Sequence, residues 1–388
     1  MGEATFDIAT VISRARVVVC VGPGGVGKTS TSAAIAMQAA HAGRRVIVLT
    51  IDPARRLANA LGLPEIGNEE RAIPSEAFAA VGAPAPRGRL TAMMLDIKRT
   101  WDETVMRHHP DPERRDRLLK NRFYQTLSTA LAGSQEYMAM EKLHELAERT
   151  QDHLDLIVLD TPPSSNAIDF LEAPAKLIDA LDNDATRWLL EPYLSRGRLS
   201  TKLFDAGSSL VLRSLSRFTG VETLQELAEL LQCFQGMFDG FRQRAKAVRA
   251  ILCDPRTTFL VVAAPRAGSL ADARIIYDRL KTDHIPVGGL ILNRATVNPF
   301  GAGVEPAPAR LRTAVTAVGG TPSFADRIEA VALEAQAMAQ DEQAQARRLI
   351  AEAPDVPVTM IPELPRDVHD LAGLEALRRH LFGLESPS

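Results

Sequence analysis

The strongest constraint on the fold of this chain is a glycine-rich loop near its start. Residues 22–30 read Gly-Pro-Gly-Gly-Val-Gly-Lys-Thr-Ser, which is a complete G-x-x-x-x-G-K-[ST] phosphate loop. The apolar, β-branched run at residues 17–21 predicts a buried strand before the loop, and the Ala-rich run at residues 32–40 predicts a helix after it. This order predicts an α/β sheet that binds the phosphates of a nucleoside triphosphate.

The residue types of the loop fit this chemistry. Glycine lets the backbone N–H groups turn inward around the phosphates, and the N-terminus of the following helix adds partial positive charge. Lys28 is expected to reach the β- and γ-phosphates, and the Thr29 hydroxyl is expected to bind Mg²⁺. The predicted nucleotide-binding residues of the loop are Gly24, Gly25, Val26, Gly27, Lys28, Thr29 and Ser30.

Two aspartates stand where later apolar strands end. Asp160 ends the run at residues 154–160, and downstream of a phosphate loop it is predicted to hold Mg²⁺ through a coordinated water. Asp52 follows the neighbouring run at residues 45–51 and is predicted to face the crevice above the sheet, where it could orient or deprotonate the attacking water. A helix N-cap is the alternative role for Asp52, and both roles can hold at once.

Strands and helices alternate over most of the chain. Further strands are predicted at residues 90–96, 257–264, 287–293 and 356–361, and helices at residues 134–148, 270–280 and 325–351. This alternation predicts an α/β fold with a doubly wound, mainly parallel sheet covered on both faces. The Pro- and Gly-rich residues 62–89 and 299–322 are predicted to be long loops.

A helical insertion is predicted to interrupt this sheet. Residues 166–250 contain no convincing strand, and Leu and Phe recur there at three- and four-residue steps, which is the spacing of a buried helix face. The predicted organisation is therefore a first part of the core at residues 1–165, with a helical segment at 98–150, the insertion at 166–250, and a second part of the core at 251–388.

Composition narrows the classes of function. Lys and Arg number 45 against 48 Asp and Glu, a net charge of -3, so no overall positive field favours a nucleic-acid partner. No apolar run approaches the ~20 residues of a membrane span and no secretory leader is apparent, which predicts a cytoplasmic protein. The three cysteines form no C-x-x-C pair and indicate neither a disulfide nor a zinc site. His108 and His109 are expected at the solvated surface, without a metal.

Four segments, in order along the chain, carry a resemblance to a known family: residues 22–30, 52–57, 160–163, and 291–293 with 361–365. They resemble the arsenite-pump and tail-anchored-protein-targeting ATPases, a branch of the dimeric, deviant-Walker phosphate-loop ATPases. The resemblance implies that the nucleotide is ATP and that slow, partner-stimulated hydrolysis changes the shape of a dimer. It implies that Asp52 activates water, that Asn293 contacts adenine, and that the segment near Pro362 brackets the base.

The chain departs from the family at Pro23, where relatives usually carry a lysine that reaches the partner's phosphates across the dimer. Proline supplies no charge, so either a paralogous subunit brings the cation or a basic residue of this chain, Arg55, Arg56 or Arg266, replaces it. The cysteines with which arsenite-pump relatives bind metalloid are also absent, so no arsenite site is predicted.

Three questions stay open at this point. Residues 166–250 correspond in position to the helices that, in targeting relatives, form a groove for a transmembrane segment, so a membrane-protein client or a membrane partner is one prospect. Whether the dimer pairs identical or paralogous chains is the second question. The alternatives to an ATPase cycle are a nucleotide-dependent scaffold or regulatory subunit that hydrolyses negligibly, and a partition-type ATPase.

Overall fold

The computed structural model describes residues 8–52, 56–130, 134–149, 154–162, 172–173, 226, 229–230, 233–234, 237–301, 308–354 and 356–384. The chain divides into two units. The sheet unit contains residues 1–93, 153–167 and 254–388, and the helical unit contains residues 94–152 and 168–253. The segment 98–150, which the sequence analysis assigned to the core, thus belongs to the helical unit, while most of the predicted insertion at 166–250 lies outside the described residues.

Eight strands form one sheet in the order β3-β4-β2-β5-β1-β6-β7-β8. They are β1 Val17–Val21, β2 Arg45–Thr50, β3 Arg71–Ala72, β4 Arg89–Met94, β5 Leu156–Asp160, β6 Thr257–Ala263, β7 Val287–Ala295 and β8 Val358–Pro362. β1 pairs in parallel with β5 and β6, and the pairs β2 with β5, β6 with β7 and β7 with β8 are also parallel. The short β3 runs antiparallel to β4. The predicted mainly parallel α/β sheet is confirmed.

The helices of the described residues cover this sheet or form the helical unit. They are α1 Ile8–Arg14, α2 Lys28–His41, α3 Arg56–Ala60, α4 Ser75–Ala80, α5 Ile97–His108, α6 Pro112–Lys120, α7 Arg122–Ala130, α8 Ser134–Arg149, α9 Phe238–Leu252, α10 Ala267–Thr282, α11 Pro308–Ala317, α12 Pro322–Glu352 and α13 Leu371–Leu381. None of them is long and apolar enough to cross a membrane.

The central strands are mostly hydrophobic and buried because the sheet is covered by helices. Every residue of β1, β5 and β6 is buried. α2 packs against β2, β5 and α13, whereas α10 packs against β6, β7 and α12. Since parallel strands point the same way, the carboxyl ends of β1, β2 and β5 lie together at one edge of the sheet, and this edge carries the candidate site.

Two predicted loops contain regular structure. β3 and α4 lie within residues 62–89, and α11 lies within residues 299–322, so both loop predictions were wrong. Three of the prolines that suggested chain breaks stand at helix starts. Pro74 is the N-cap of α4, Pro308 begins α11 and Pro322 begins α12. Proline is favourable there because its fixed φ suits the first turn and its missing N–H would have no partner.

The helical unit has its own core. α8 packs against α5, α7 and α9, and the rings of Trp101, Tyr137 and Phe241 contact one another. Arg244 on α9 forms a buried ion pair with Glu141 on α8, at 2.6 Å between Nε and Oε2. His109 is buried rather than solvated as predicted, and its Nε2 lies 2.9 Å from the carbonyl oxygen of Cys233, which gives the ring a polar partner inside the helical unit.

Candidate nucleotide site

The phosphate loop connects β1 to α2 with the backbone that its glycines allow. Gly22, Gly25 and Gly27 have positive φ values of 153°, 75° and 92°. A Cβ on Gly22 would overlap the carbonyl oxygen of Val262 on β6, and a Cβ on Gly27 would overlap the side-chain nitrogen of Asn293 on β7. Gly27 is also the N-cap residue of α2, so the free N–H groups of the first helical turn face the loop.

Lys28 is the buried cation of this loop. Its Nζ donates hydrogen bonds to the carbonyl oxygens of Gly22, at 2.9 Å, and Pro23, at 2.7 Å. Burial lowers the pKa of Lys28, while the nearby carboxylates of Asp160 and Asp52 act in the opposite direction. The ammonium is thus held at the loop by backbone acceptors, and an anion bound there would take their place as its partner.

Asp160 is fully buried at the end of β5, where the strand register places it beside Cys20 and Thr50. Burial raises the pKa of Asp160 to about 6, although the hydroxyls of Thr29 and Thr50 and the charge of Lys28 favour its ionised form. The Thr50 hydroxyl donates to Oδ2 at 2.8 Å. A buried carboxyl that still resists ionisation is typical of a site completed by a cation.

The donor set around Asp160 fits Mg²⁺. Its Oδ1 is buried without a hydrogen-bond partner among the described residues, and the Thr29 hydroxyl is close enough to influence its pKa. Hard oxygen ligands, few protein donors and retained waters are what Mg²⁺ prefers in nucleotide sites. The described residues contain no group of three or more His, Cys, Asp or Glu that could hold another kind of metal.

Asp52 follows β2 and lines the same cavity as the loop. Its backbone N–H donates to the Thr50 hydroxyl at 3.2 Å, and its Oδ2 lies 4.0 Å from a guanidinium nitrogen of Arg56. Thr50 therefore connects the backbone of Asp52 with the carboxylate of Asp160. Residues 53–55 lie outside the described part of the chain, so the capping alternative for Asp52 stays a prediction.

Asn293 reaches the loop from β7. Its side-chain amide donates to the carbonyl oxygen of Val26 at 2.8 Å. The next residue, Arg294, has a φ of 61°, which few residues with a side chain adopt, and its guanidinium lies 3.3 Å from the carbonyl oxygen of Gly25 and 3.5 Å from Asp367. β7 therefore ends by fixing two side chains against the phosphate loop.

These residues surround a cavity of about 470 Å³, a size typical of sites for small ligands. It brings together most of the predicted residues: Gly25, Gly27, Lys28, Thr29, Ser30, Asp52, Asn293 and Pro362. Gly24, Val26 and Asp160 do not line it; Val26 contributes its carbonyl to Asn293, and Asp160 lies buried beneath. Pro362 ends β8, at the far side of the cavity from Asp52 along the sheet order.

Sequence reasoning missed several polar residues of this cavity. They are Asn59, Arg294, Arg366, Asp367 and His369. Thr161 and Glu363 also line the cavity, and they lie in the segments 160–163 and 361–365 that carry the family resemblance. The Thr161 hydroxyl donates to the carbonyl oxygen of Cys20 at 2.8 Å. The signal for the missed residues was their nearness in sequence to Asp52, Asn293 or Pro362, since their polarity resembles that of any solvated loop.

The strand, loop and buried acidic residue define a phosphate-loop protein with an α/β sheet. Residues 15–299 match the family described as Anion-transporting ATPase, and the chain belongs to that family. It is similar to ATPase GET3 of Malassezia globosa, with 25% identity over 287 residues, or 74% of each chain. It is also similar to the putative arsenical pump-driving ATPase 1 of Aquifex aeolicus, with 26% identity over 286 residues, which are 72% of this chain and 63% of the relative.

Proposed function

We propose that this chain binds ATP with Mg²⁺ and hydrolyses it slowly, and that hydrolysis changes the shape of a dimer. One observation carries the proposal. Lys28 lines a cavity of about 470 Å³ at the carboxyl ends of β1 and β5, and the buried carboxyl group of Asp160, which feels the charge of Lys28, lies beneath this cavity. Family membership supports the reaction class, because the similar proteins are named as ATPases.

The residues divide the catalytic work between them. The loop N–H groups and Lys28 hold the phosphates, and Thr29 and Asp160 are the residues that would hold Mg²⁺. The bound cation would neutralise charge on the phosphate oxygens. Asp52 lines the cavity and would align the attacking water or accept its proton. Such catalysis consists of positioning and electrostatic stabilisation, as phosphoryl transfer requires.

Proline at position 23 supplies no cation, and three arginines were predicted to replace it. One of the three, Arg56, lies at this site. Arg56 lines the cavity, whereas Arg266 does not line it and lies 3.8 Å from Glu342, and Arg55 is outside the described residues. Arg294 and Arg366 also line the cavity. A paralogous subunit that supplies a lysine remains the other source, so whether the dimer pairs identical or different chains stays a prediction, as do the cytoplasmic location and a membrane-protein client.

Pro23 also favours a second candidate function. A nucleotide-dependent scaffold would bind ATP through the same loop but hydrolyse it negligibly, because the transition-state charge would lack its cation. Turnover measured with and without a paralogous partner separates this scaffold from an ATPase.

Lys28→Ala tests the site itself. Among the described residues, Lys28 is the one lysine that lines the cavity, so we expect its loss to lower ATP affinity or turnover at least about a hundredfold, since charge-assisted contacts to phosphate are strong. Calorimetry and phosphate release measure the two quantities. Lys281→Ala, an exposed lysine of α10, is the control. Equal affinity and turnover in Lys28→Ala and the wild type would reject the proposal.

Asp52→Asn separates hydrolysis from binding. Asn caps helices as well as Asp does, so a capping role predicts little change in stability or turnover. A water-activating role predicts retained ATP binding with turnover lowered by about 10² to 10⁴, the usual contribution of general acid–base catalysis. Single-turnover hydrolysis measures the difference, and equal losses of affinity and rate would contradict the catalytic role.

A further inference from the structure

Glu342 is a buried carboxyl group in the second half of α12, and it does not line the nucleotide cavity. Both of its oxygens accept hydrogen bonds from Thr296: Oε2 from the backbone N–H at 2.7 Å, and Oε1 from the hydroxyl at 3.0 Å. The exposed guanidinium of Arg266 lies 3.8 Å from Oε1. A buried carboxylate is unfavourable unless donors of this kind satisfy it, so its two hydrogen bonds fix Thr296 to α12.

Thr296 is the first residue after β7, and β7 ends in a bulge. Two pairs of residues flank the bulge: Leu292 with Met360, and Ala295 with Pro362. Between them, Asn293 and Arg294 of β7 stand opposite a single residue of β8. Bulges bend a strand and re-aim its side chains. This bulge carries the two side chains that contact carbonyl oxygens of the phosphate loop, at 2.8 Å from Asn293 and 3.3 Å from Arg294.

The backbone on the far side of the bulge is held at two consecutive residues. The carbonyl oxygen of Ala295 accepts a hydrogen bond from the N–H of Glu363 at 2.8 Å, and Glu363 lines the nucleotide cavity. The next residue, Thr296, is held by Glu342. Because a bulge interrupts the regular strand pairing, these two anchors limit how far its backbone can shift. Glu342 thus acts on the site through the backbone of β7.

We propose that Glu342 is a positioning residue for nucleotide binding. By fixing Thr296, it keeps the bulge of β7 in the conformation that places Asn293 and Arg294 against the phosphate loop. This inference rests on the proposed ATP site and adds to it a residue of α12, a helix that begins beyond residue 299, where the match to the family ends. If Glu342 only anchored α12 to the sheet, its loss would lower stability and leave the affinity for nucleotide unchanged.

Glu342→Ala and Glu342→Gln test this role. Alanine removes both hydrogen bonds, whereas glutamine can keep both, because its carbonyl oxygen accepts from the Thr296 N–H and its amide donates to the Thr296 hydroxyl. Calorimetry of the full chain with Mg²⁺-ATP is expected to show at least about tenfold weaker affinity for Glu342→Ala, and affinity within about twofold of the wild type for Glu342→Gln.

Gln336→Ala is the control, because it truncates another buried polar side chain of the same helix. Circular dichroism verifies that all variants fold. Wild-type affinity in Glu342→Ala, or an equal loss of affinity in Gln336→Ala, would overturn the proposal. Lys28→Ala separates this failure from failure of the proposed function. If Lys28→Ala alone loses affinity, Glu342 does not position the site, and if neither variant loses affinity, the proposed ATP site itself is wrong.

Two further measurements test the route through β7. Hydrogen exchange of the nucleotide-free chain is expected to be at least about tenfold faster at the Thr296 N–H in Glu342→Ala than in Glu342→Gln. The double variant Asn293→Ala with Glu342→Ala is expected to lose less affinity than the product of the two single losses, since Glu342 acts through the contact that Asn293 makes. Unchanged exchange, or losses that multiply, would overturn this route.

Discussion

At the scale of single residues, the site depends on a carboxyl group that folding has removed from water. Asp160 is fully buried, and burial raises its pKa to about 6 from an ordinary value of 3.8. Its position at the carboxyl end of a buried strand could be predicted from the apolar run that precedes it. Its environment could not, because Thr50, which donates to it, comes from a strand 110 residues away in sequence.

The raised pKa of Asp160 predicts how stability depends on pH. The unfolded carboxyl ionises near pH 4 and the folded one near pH 6, so the free energy of unfolding falls as pH rises through this interval and stays lowered above it. Asp160→Asn removes the unfavourable free energy of ionising a buried carboxyl group. We expect the nucleotide-free variant to be more stable than the wild type by about 3 kcal/mol at pH 7.5, with the advantage lost below about pH 4.

Urea unfolding between pH 4 and pH 8 measures this difference. Asp155→Asn is the control, because hydrogen bonds from Arg45 lower the pKa of Asp155 to about 2 and reverse the sign of the dependence. The same Asp160→Asn variant should lose affinity for Mg²⁺-nucleotide even as it gains stability. A variant less stable than the wild type at pH 7.5 would contradict the assignment.

At the scale of elements, residues of β7 hold the phosphate loop in its conformation. Gly27 leaves room for the Asn293 amide that donates to Val26. The loop itself could be predicted from the spacing of its glycines and lysine. Strands such as β1 and β5 could be predicted from their apolar runs, because a strand buried on both faces is apolar at every position and not at alternate ones. The contact between Gly27 and Asn293 could not, because it joins two segments more than 250 residues apart whose approach is decided by the sheet order.

Gly27→Ala tests this support, and Gly43→Ala is its matched control. Both glycines have positive φ, 92° and 96°, so either substitution should cost about 1 kcal/mol of stability through backbone strain. Only a Cβ on Gly27 meets another residue, the side-chain nitrogen of Asn293, whereas a Cβ on Gly43 meets nothing within 4 Å. We expect thermal unfolding to show a larger loss in Gly27→Ala than in Gly43→Ala, and calorimetry to show lost ATP binding in Gly27→Ala alone. Retained binding in Gly27→Ala would contradict this account.

At the scale of the whole molecule, the chain consists of a sheet unit and a helical unit whose division the sequence located only in part. The helical character of residues 98–150 could be read from periodicity, but their membership of the helical unit depends on the packing of α5 and α8 with α9, which begins about 90 residues after α8 ends. The periodicity of hydrophobic residues indicates which face of a segment is buried, but not which distant segment packs against that face. For the same reason, it does not indicate which partner binds an exposed surface.

At this scale the proposal is that Pro23 makes ATP hydrolysis depend on a cation from another subunit, and Pro23→Lys tests that dependence. If turnover is limited by a missing cation, Pro23→Lys should hydrolyse ATP at least about tenfold faster than the wild type, within the ~10³ to 10⁵ that a cation supplied to the transferred phosphate can contribute. Pro23→Ala is the matched control, because it removes the ring without adding charge. Arg56→Ala and Arg266→Ala then locate any cation within the chain, since only Arg56 of the two lines the cavity. Phosphate release measures all four variants. A Pro23→Lys variant no faster than Pro23→Ala would show that the missing lysine does not limit the rate.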